Sequence, residues 1–388
     1  MFLPGCSGKP AWLNQNRMSS SSELSSFAAR LRRLISASTS APAAEVPGFD
    51  QLALELFALQ YKYNAPYRRL CEVRDARPDT VGHWTDIPAA PTSAFKEFEL
   101  SCLPVTERTT VFHSSGTTER RPSRHSHNAE SLAVYEVSLL RWFEANIQSP
   151  IANSQWIMLT PPLAQAPHSS LVFMFETIGR ELGLVASAFV GRVGEAGDWA
   201  LNLEATLERL RAVSESGQPM FMLGTAFSFV HLVDYLAERD LRFRLPPGSC
   251  ALETGGYKGR SRSLPKAALH GLISQRLGIS PDRIVCEYGM SELSSQAYDG
   301  MVSTSRAAHN VARVFRFPPW VRVQIVSPES GREVGEGETG LIRVFDLANV
   351  YSVMAIQTED LGTRCGDGFV VAGRAVLAEP RGCSLMPV

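Results

Sequence analysis

Apolar positions recur at two different periods along this chain, and the change between them marks its organisation. Across residues 49–73, Leu52, Leu54, Leu56, Phe57, Leu59 and Tyr63 fall at helical spacing. A proline-rich connection with Pro78, Pro88 and Pro91 follows. From residue 109 short β-type runs alternate with helical segments. Runs 109–112, 156–159, 184–190, 220–223, 251–254 and 284–286 read as strands. Segments 130–146, 171–182, 201–213, 226–238 and one starting at Ser263, with Pro265 in its first turn, read as helices. Such alternation predicts an α/β core with a largely parallel sheet flanked by helices. After residue 315 the pattern turns to strands alone, at 321–326, 340–345 and 368–371, separated by Gly/Glu-rich turns such as 331–340. The Ser/Ala-rich start, with one charged helical pattern around 27–34, predicts a mobile arm. The expected partition is an arm at 1–45, an α/β core at 46–315, a β-rich subdomain at 316–374 and a short tail at 375–388.

Composition adds mainly exclusions. The 388 residues are 44% apolar and 20% charged with a formal net charge of -1, as expected of an ordinary soluble globular protein. There is no basic excess to attract nucleic acid. No apolar run approaches the ~18 residues of a membrane span. Seven cysteines, at 6, 71, 102, 250, 286, 365 and 383, form no C-x-x-C pair. An odd, irregular set predicts neither a disulfide framework nor a zinc site, but reduced thiols in the cytoplasm.

Candidate chemistry begins at Ser114-Ser115-Gly116-Thr117-Thr118, directly after a predicted strand. Hydroxyls and backbone N–H groups around one glycine suit a multidentate phosphate grip, because glycine lets the backbone approach an anion closely. Arg120, Arg121 and Arg124 follow, placed to stabilise charge on departing pyrophosphate. A Walker loop and a nucleophile elbow are excluded, since neither G-x-x-x-x-G-K-[ST] nor G-x-S-x-G is present. A polar surface loop would look the same in isolation. Three later segments add to it. Tyr288, Gly289, Met290, Ser291 and Glu292 follow a strand and offer a ring for a base, a hydroxyl for a phosphate and a carboxylate for Mg²⁺. Asp360 offers its carboxylate to ribose hydroxyls. Gly373-Arg374 places a cation near ribose or phosphate.

Taken together and in this order, these segments resemble the adenylate-forming superfamily of acyl-CoA synthetases, firefly luciferase and peptide-synthetase adenylation domains. Ser123-Arg124-His125, Thr254-Gly255-Gly256-Tyr257-Lys258, Met290-Ser291-Glu292-Leu293 and the ending Arg381-Gly382-Cys383-Ser384 narrow the resemblance. It is to the acyl-protein synthetases of the bacterial bioluminescence fatty-acid reductase complex, from about residue 46 to the end. The resemblance implies an adenylate-forming N-terminal-domain-like fold. It implies that Ser114 to Thr118 grip the β/γ-phosphates, Tyr288 stacks on adenine, Ser291 meets the α-phosphate, Glu292 holds Mg²⁺ and Asp360 holds the ribose. Gly255 and Gly256 join the nucleotide-binding set. It further implies that a carboxylic acid and ATP give acyl-AMP and pyrophosphate, and that the acyl group then passes to a thiol near the C-terminus, which here matches Cys383.

Two departures stand out. Glu119-Arg120-Arg121-Pro122 replaces the usual Gly-x-Pro-Lys, and only 14 residues follow Arg374, so the large C-terminal domain with its adenylation lysine is expected to be missing. Lys258 is the candidate replacement. His168, in a proline-bounded loop, is a candidate to border the carboxylate. Trp156, Phe173, Phe175, Met220, Met222, Phe227 and Phe229 are candidate lining for the acyl chain. The expected partners are a fatty acid or other carboxylic acid and an acyl-accepting reductase or carrier protein. An acid–CoA ligase and a non-catalytic acyl-nucleotide-binding protein are the competing expectations.

Overall fold

The serine-rich segment expected to be an arm contains a packed helix, α1 (Ser20–Ala37). Leu24, Phe27, Leu31 and Ile35 recur at three- and four-residue spacing and are all buried. Its polar side is tied down as well. Glu23 pairs with Lys62 at 2.9 Å and accepts from the Tyr63 hydroxyl, while Ser25 donates to Glu130 at 2.6 Å. The serine-rich composition masked a helix whose buried side also holds Ala28 and borders Leu34. A computed structural model of the chain describes residues 20–38, 46, 48–114, 121–147, 154–183, 188–195, 197–255, 264–300 and 313–375.

The next helical pattern breaks in two, α2 (Phe49–Tyr63) and α3 (Ala65–Val73), because Asn64 leaves helical geometry and caps α3 by accepting from Tyr67 N–H. Then come β1 (Ala90–Pro91), α4 (Ala94–Glu97), β2 (Thr110–His113), β3 (Arg124–His127) and α5 (Ala129–Asn146), the last opened by an Asn128/Ser131 capping box. The α/β core continues with β4 (Gln155–Met158), α6 (Ser170–Glu181), β5 (Gly191–Val193), β6 (Trp199–Leu201), α7 (Leu203–Ser216), β7 (Met220–Thr225), α8 (Ala226–Glu238), β8 (Cys250–Thr254), α9 (Lys266–Leu277), β9 (Ile284–Tyr288) and β10 (Ala297–Tyr298). The remaining strands are β11 (Val321–Val326), β12 (Thr339–Asp346), β13 (Ala355–Cys365) and β14 (Gly368–Arg374).

One sheet has the order β10-β9-β8-β7-β4, with β4, β7, β8 and β9 parallel and β10 antiparallel. Its strands are apolar on both faces, as a sheet covered on both sides requires. Ile157, Met220, Met222, Ala251 and Ile284 pack with α7, α8 and α9 on one face. Trp156, Met158, Phe221, Leu223, Leu252 and Val285 pack with α5 and α6 on the other. This alternation corrects the expected acyl lining. Met220, Met222 and Phe229 lie in one cluster, whereas Trp156, Phe173 and Phe175 lie in the other.

The second sheet runs β1-β13-β12-β11, with β14 on the far side of the β13 hairpin. The strand β13 is not evident in the sequence, because Gln357, Glu359, Asp360 and Gly362 interrupt its apolar run. Cys365 is its last residue. The parallel pair Ala90↔Ile356 draws β1 into this sheet, and one buried cluster holds Leu56, Val285, Phe345 and Ile356 together. Packing is therefore continuous across the expected boundary at 315/316. Among the described residues, no helix is long and apolar enough to cross a membrane.

Candidate active site

Parallel strands β8 and β9 stop side by side, with Thr254 in register with Glu287. Beyond β8 the chain turns at Gly255, whose φ of +70° is a conformation L-residues avoid. Beyond β9 it runs through Gly289, Met290, Ser291 and Glu292. A Cβ on Gly289 would lie 2.3 Å from a Glu287 carboxylate oxygen, so only glycine fits there without displacing Glu287. Glu287 itself is buried and accepts from the Thr254 hydroxyl. Burial pushes its carboxyl up to about 7.

Tyr288 closes β9 and joins the second sheet. Its ring meets Phe315, Phe317 and Phe369 at centroid distances of 5.9, 6.2 and 5.4 Å. Its hydroxyl donates to Asp360 Oδ2 at 2.9 Å, and Arg374 Nε approaches Asp360 Oδ1 at 3.3 Å. Asp360 and Arg374 are register partners on β13 and β14. The Asp360 side chain is 20% exposed and that of Arg374 77%, so the trio sits at a rim. Desolvation first, and the Asp360 charge second, raise the Tyr288 hydroxyl well above its ordinary pKa. The hydroxyl therefore stays a donor.

Glu292 is buried on the opposite side of the same segment. Ser123 and Ser291 both donate to its carboxylate, the latter at 3.0 Å. Burial raises its pKa, opposed by the hydrogen bonds from Ser123 and Ser291 and by the charge of Lys96 on α4. Asn349 Nδ2 donates to the Glu292 carbonyl at 2.8 Å, and the His125 Nδ1 proton goes to the Ser291 carbonyl at 2.9 Å. An all-oxygen set of one carboxylate and two hydroxyls has the chemistry a hard cation such as Mg²⁺ requires.

Ser123 also closes the glycine loop. Ser114 N–H donates to the Ser123 carbonyl at 3.2 Å, and Ser123 N–H to Ser114 Oγ at 3.0 Å. The loop is thus the connection of the β2–β3 hairpin, with its base stapled beside Glu292. Ser115, Gly116, Thr117 and Thr118 lie outside the described residues, as do Gly256, Lys258 and Cys383. Arg124 opens β3 but ion-pairs with Glu99 at 3.2 Å, so its charge is already shared. His168 docks the 161–169 loop onto β2. Its ring stacks on His113 at 4.5 Å, its Nδ1 lies 3.0 Å from the Val111 carbonyl, and its own carbonyl accepts from His113 N–H. Burial, with the charges of His168 and Arg124, lowers the His113 pKa. Among the predicted residues, Tyr288, Asp360 and Arg374 come together as one group, and Ser114, Ser291 and Glu292 as a second. His168 and Arg124 touch neither group.

Ser123, Lys96 and Asn349 are the residues that sequence reasoning did not place here. Only Ser123 carries a signal, as the serine that mirrors Ser114 across the glycine loop. Lys96 and Asn349 arrive from α4 and from the turn after β12, through tertiary contacts alone.

Comparison with known proteins gives the family and the fold. The profile of the acyl-protein synthetase family, LuxE, matches residues 11–386. A long-chain-fatty-acid–luciferin-component ligase of Vibrio harveyi is 24% identical over 345 residues, covering 84% of each chain. Its counterpart from Aliivibrio fischeri is 22% identical over 325 residues, covering 81% of this chain and 78% of its own. Among solved structures, an open conformation of 2-hydroxyisobutyryl-CoA ligase superposes with a TM-score of 0.60 at 13% identity. It covers 84% of this chain and 77% of its own, a likeness of fold. Nearly the whole chain fits one family, and the chain belongs to the acyl-protein synthetases, a family of ligases on the adenylate-forming fold.

Proposed function

We propose that this protein activates a long-chain fatty acid with ATP as acyl-AMP and transfers the acyl group to a thiol, with Cys383 as the acceptor on its own chain. The observation that carries this is the placement of two polar groups on one short segment, 288–292. Tyr288–Asp360–Arg374 lies at one end, and Ser291–Glu292–Ser123 at the other. A nucleoside triphosphate needs that separation of roles, with a ribose-binding carboxylate apart from the phosphate and cation donors.

A carboxylate oxygen of the acid attacks the α-phosphorus. The bond to the pyrophosphate oxygen breaks, and acyl-AMP remains. A thiol that has lost its proton to solvent then attacks the acyl carbonyl, and AMP leaves. Asp360, oriented by Tyr288 and Arg374, takes the ribose hydroxyls. Ser114 with Ser115, Gly116, Thr117 and Thr118 takes the terminal phosphates, and Gly255 with Gly256 admits the nucleotide close to the backbone. Glu292 holds Mg²⁺, which when bound offsets phosphate charge. Arg124, once it leaves Glu99, is assigned to the departing pyrophosphate, Lys258 to the role of the adenylation lysine, and His168 to the mouth that admits the carboxylate. The acyl group is delivered onward to a reductase or carrier protein in the cytoplasm. The names of the relatives from Vibrio harveyi and Aliivibrio fischeri, long-chain-fatty-acid–luciferin-component ligases, support a fatty acid as the substrate class.

The test is incubation of the full chain with ATP, Mg²⁺ and labelled fatty acids. Pyrophosphate exchange and hydroxylamine-sensitive label on the protein are the expected results. A Cys383→Ser variant that still acquires thioester label overturns the acceptor assignment, and label appearing only on added CoA selects a CoA ligase instead. Failure of every acid to support exchange overturns the adenylation itself.

A further inference from the structure

Glu253 on β8, Cys286 on β9 and His270 on α9 converge on the face of the sheet away from Thr254 and Glu287. Register sets two of them side by side, since Glu253 pairs with Cys286. All three are buried, at 5%, 2% and 5% exposure. Cys286 Sγ lies 2.7 Å from Glu253 Oε1 and 3.5 Å from His270 Nε2, and His270 Nε2 lies 3.6 Å from Glu253 Oε1. Their ligand atoms fall within 4.8 Å of one another.

Ligands about 2.3 Å (sulfur) and about 2.0–2.1 Å (nitrogen, oxygen) from one tetrahedral ion stand roughly 3.3–3.6 Å apart. Two of the three observed separations already match. The third, sulfur to oxygen, opens to that value by a side-chain rotation of under about one ångström. Among the described residues, Glu253 has a thiol as its hydrogen-bond donor and an imidazole just beyond, with the Lys266 ammonium acting on both Glu253 and Cys286 from the side. A dication with one carboxylate, one thiolate and a neutral imidazole sums to zero. Beside the cluster Asp299 pairs with both Lys266 and Arg313, each at 3.4 Å, and braces the cysteine by accepting Cys286 N–H at 2.7 Å. Entry is available, because a cavity of about 470 Å³ has Lys266, His270, Arg313 and Phe315 in its wall.

We propose that Glu253, His270 and Cys286 form a binding site for one thiophilic divalent cation of the Zn²⁺ type, separate from the Mg²⁺ position at Glu292. Sulfur and imidazole ligands select such an ion over Mg²⁺, which demands oxygen. Three protein ligands leave one tetrahedral position for water. Binding releases the Cys286 proton to solvent. The ion clamps α9 to β8 and β9, the strands whose next residues carry the nucleotide site.

The experiment strips the full chain with a chelator, verifies its fold by circular dichroism and titrates Co²⁺, then Zn²⁺, without ATP. The expected result is one equivalent of Co²⁺, a near-ultraviolet thiolate charge-transfer band, displacement by Zn²⁺ and no displacement by millimolar Mg²⁺. Cys286→Ser abolishes the band, and the gentler His270→Gln and Glu253→Gln weaken binding by about tenfold or more. A folded wild type without the band overturns the site. So does a band retained in Cys286→Ser, which would place the ion on another cysteine, or unchanged affinity in His270→Gln. These readouts do not involve adenylation, so they succeed or fail independently of it.

Discussion

Substituting His125 by Gln should remove a specific part of this protein's acid sensitivity. His125 lies on β3, 3% exposed, with its Nδ1 proton on the Ser291 carbonyl at 2.9 Å and its ring 4.1 Å from that of His127. Burial lowers its pKa from 6.5 to about 4. The folded state therefore refuses a proton that the unfolded chain accepts below pH 6.5. Stability from the neutral ring is fully present above that pH and is lost as pH falls toward 4. A fall from 6.5 to about 4 is worth ~3 kcal/mol at 1.36 kcal/mol per pH unit, of which about 2 kcal/mol is gone by pH 5. Glutamine keeps an N–H for the Ser291 carbonyl and does not titrate. In urea unfolding from pH 7.5 to 4.5, the stability of wild type should fall by about 2–3 kcal/mol more than that of His125→Gln, because only the wild type bears this loss. Parallel acid limbs, differing by less than about 0.5 kcal/mol across the range, would refute the assignment.

Three further outcomes are expected. A double-mutant cycle on Tyr288→Phe and Asp360→Asn should show a coupling of about 1.5–3 kcal/mol in ATP binding, the worth of a hydrogen bond to a charged group; additive effects would separate the two roles. Glu292→Gln should reduce pyrophosphate exchange about 100-fold or more, while its unfolding midpoint without metal stays level or rises, because the amide removes a buried charge. Phe27→Ala should cost about 3–5 kcal/mol in denaturant unfolding, the cost of emptying a large core site; a loss under about 1 kcal/mol would return α1 to the status of a loose arm.

Legibility in the sequence followed the physical range of each interaction. The parallel sheet was readable because β7, β8 and β9 are short apolar runs with helices between them, a signal carried by neighbours in sequence. The order of chemical groups was readable too, since Tyr288 to Glu292 is contiguous and Asp360 and Arg374 follow as short motifs. The expected acyl lining failed because composition does not distinguish the two faces of a doubly covered sheet. β13 was hidden by its polar positions, as Asp360 and Gly362 interrupt the apolar pattern of the strand. α1 was hidden by serine content, although Leu24, Phe27, Leu31 and Ile35 carried the period. Ser123 reaches Glu292 across 169 positions, and no local pattern reports such a contact. The cluster of Glu253, His270 and Cys286 was overlooked for a related reason, since its spacing matches no cysteine motif and only the strand register unites it.

The pairing of β1 with β13 bears on how the chain is made. Ala90 must wait for Ile356, 266 positions later, before its strand has a neighbour. During synthesis the upstream third of the chain emerges with that edge unmatched, and closing so long a loop is entropically slow. Folding of the second sheet therefore waits until β13 is available. Premature termination anywhere before β13 should give an aggregation-prone fragment rather than a smaller working domain.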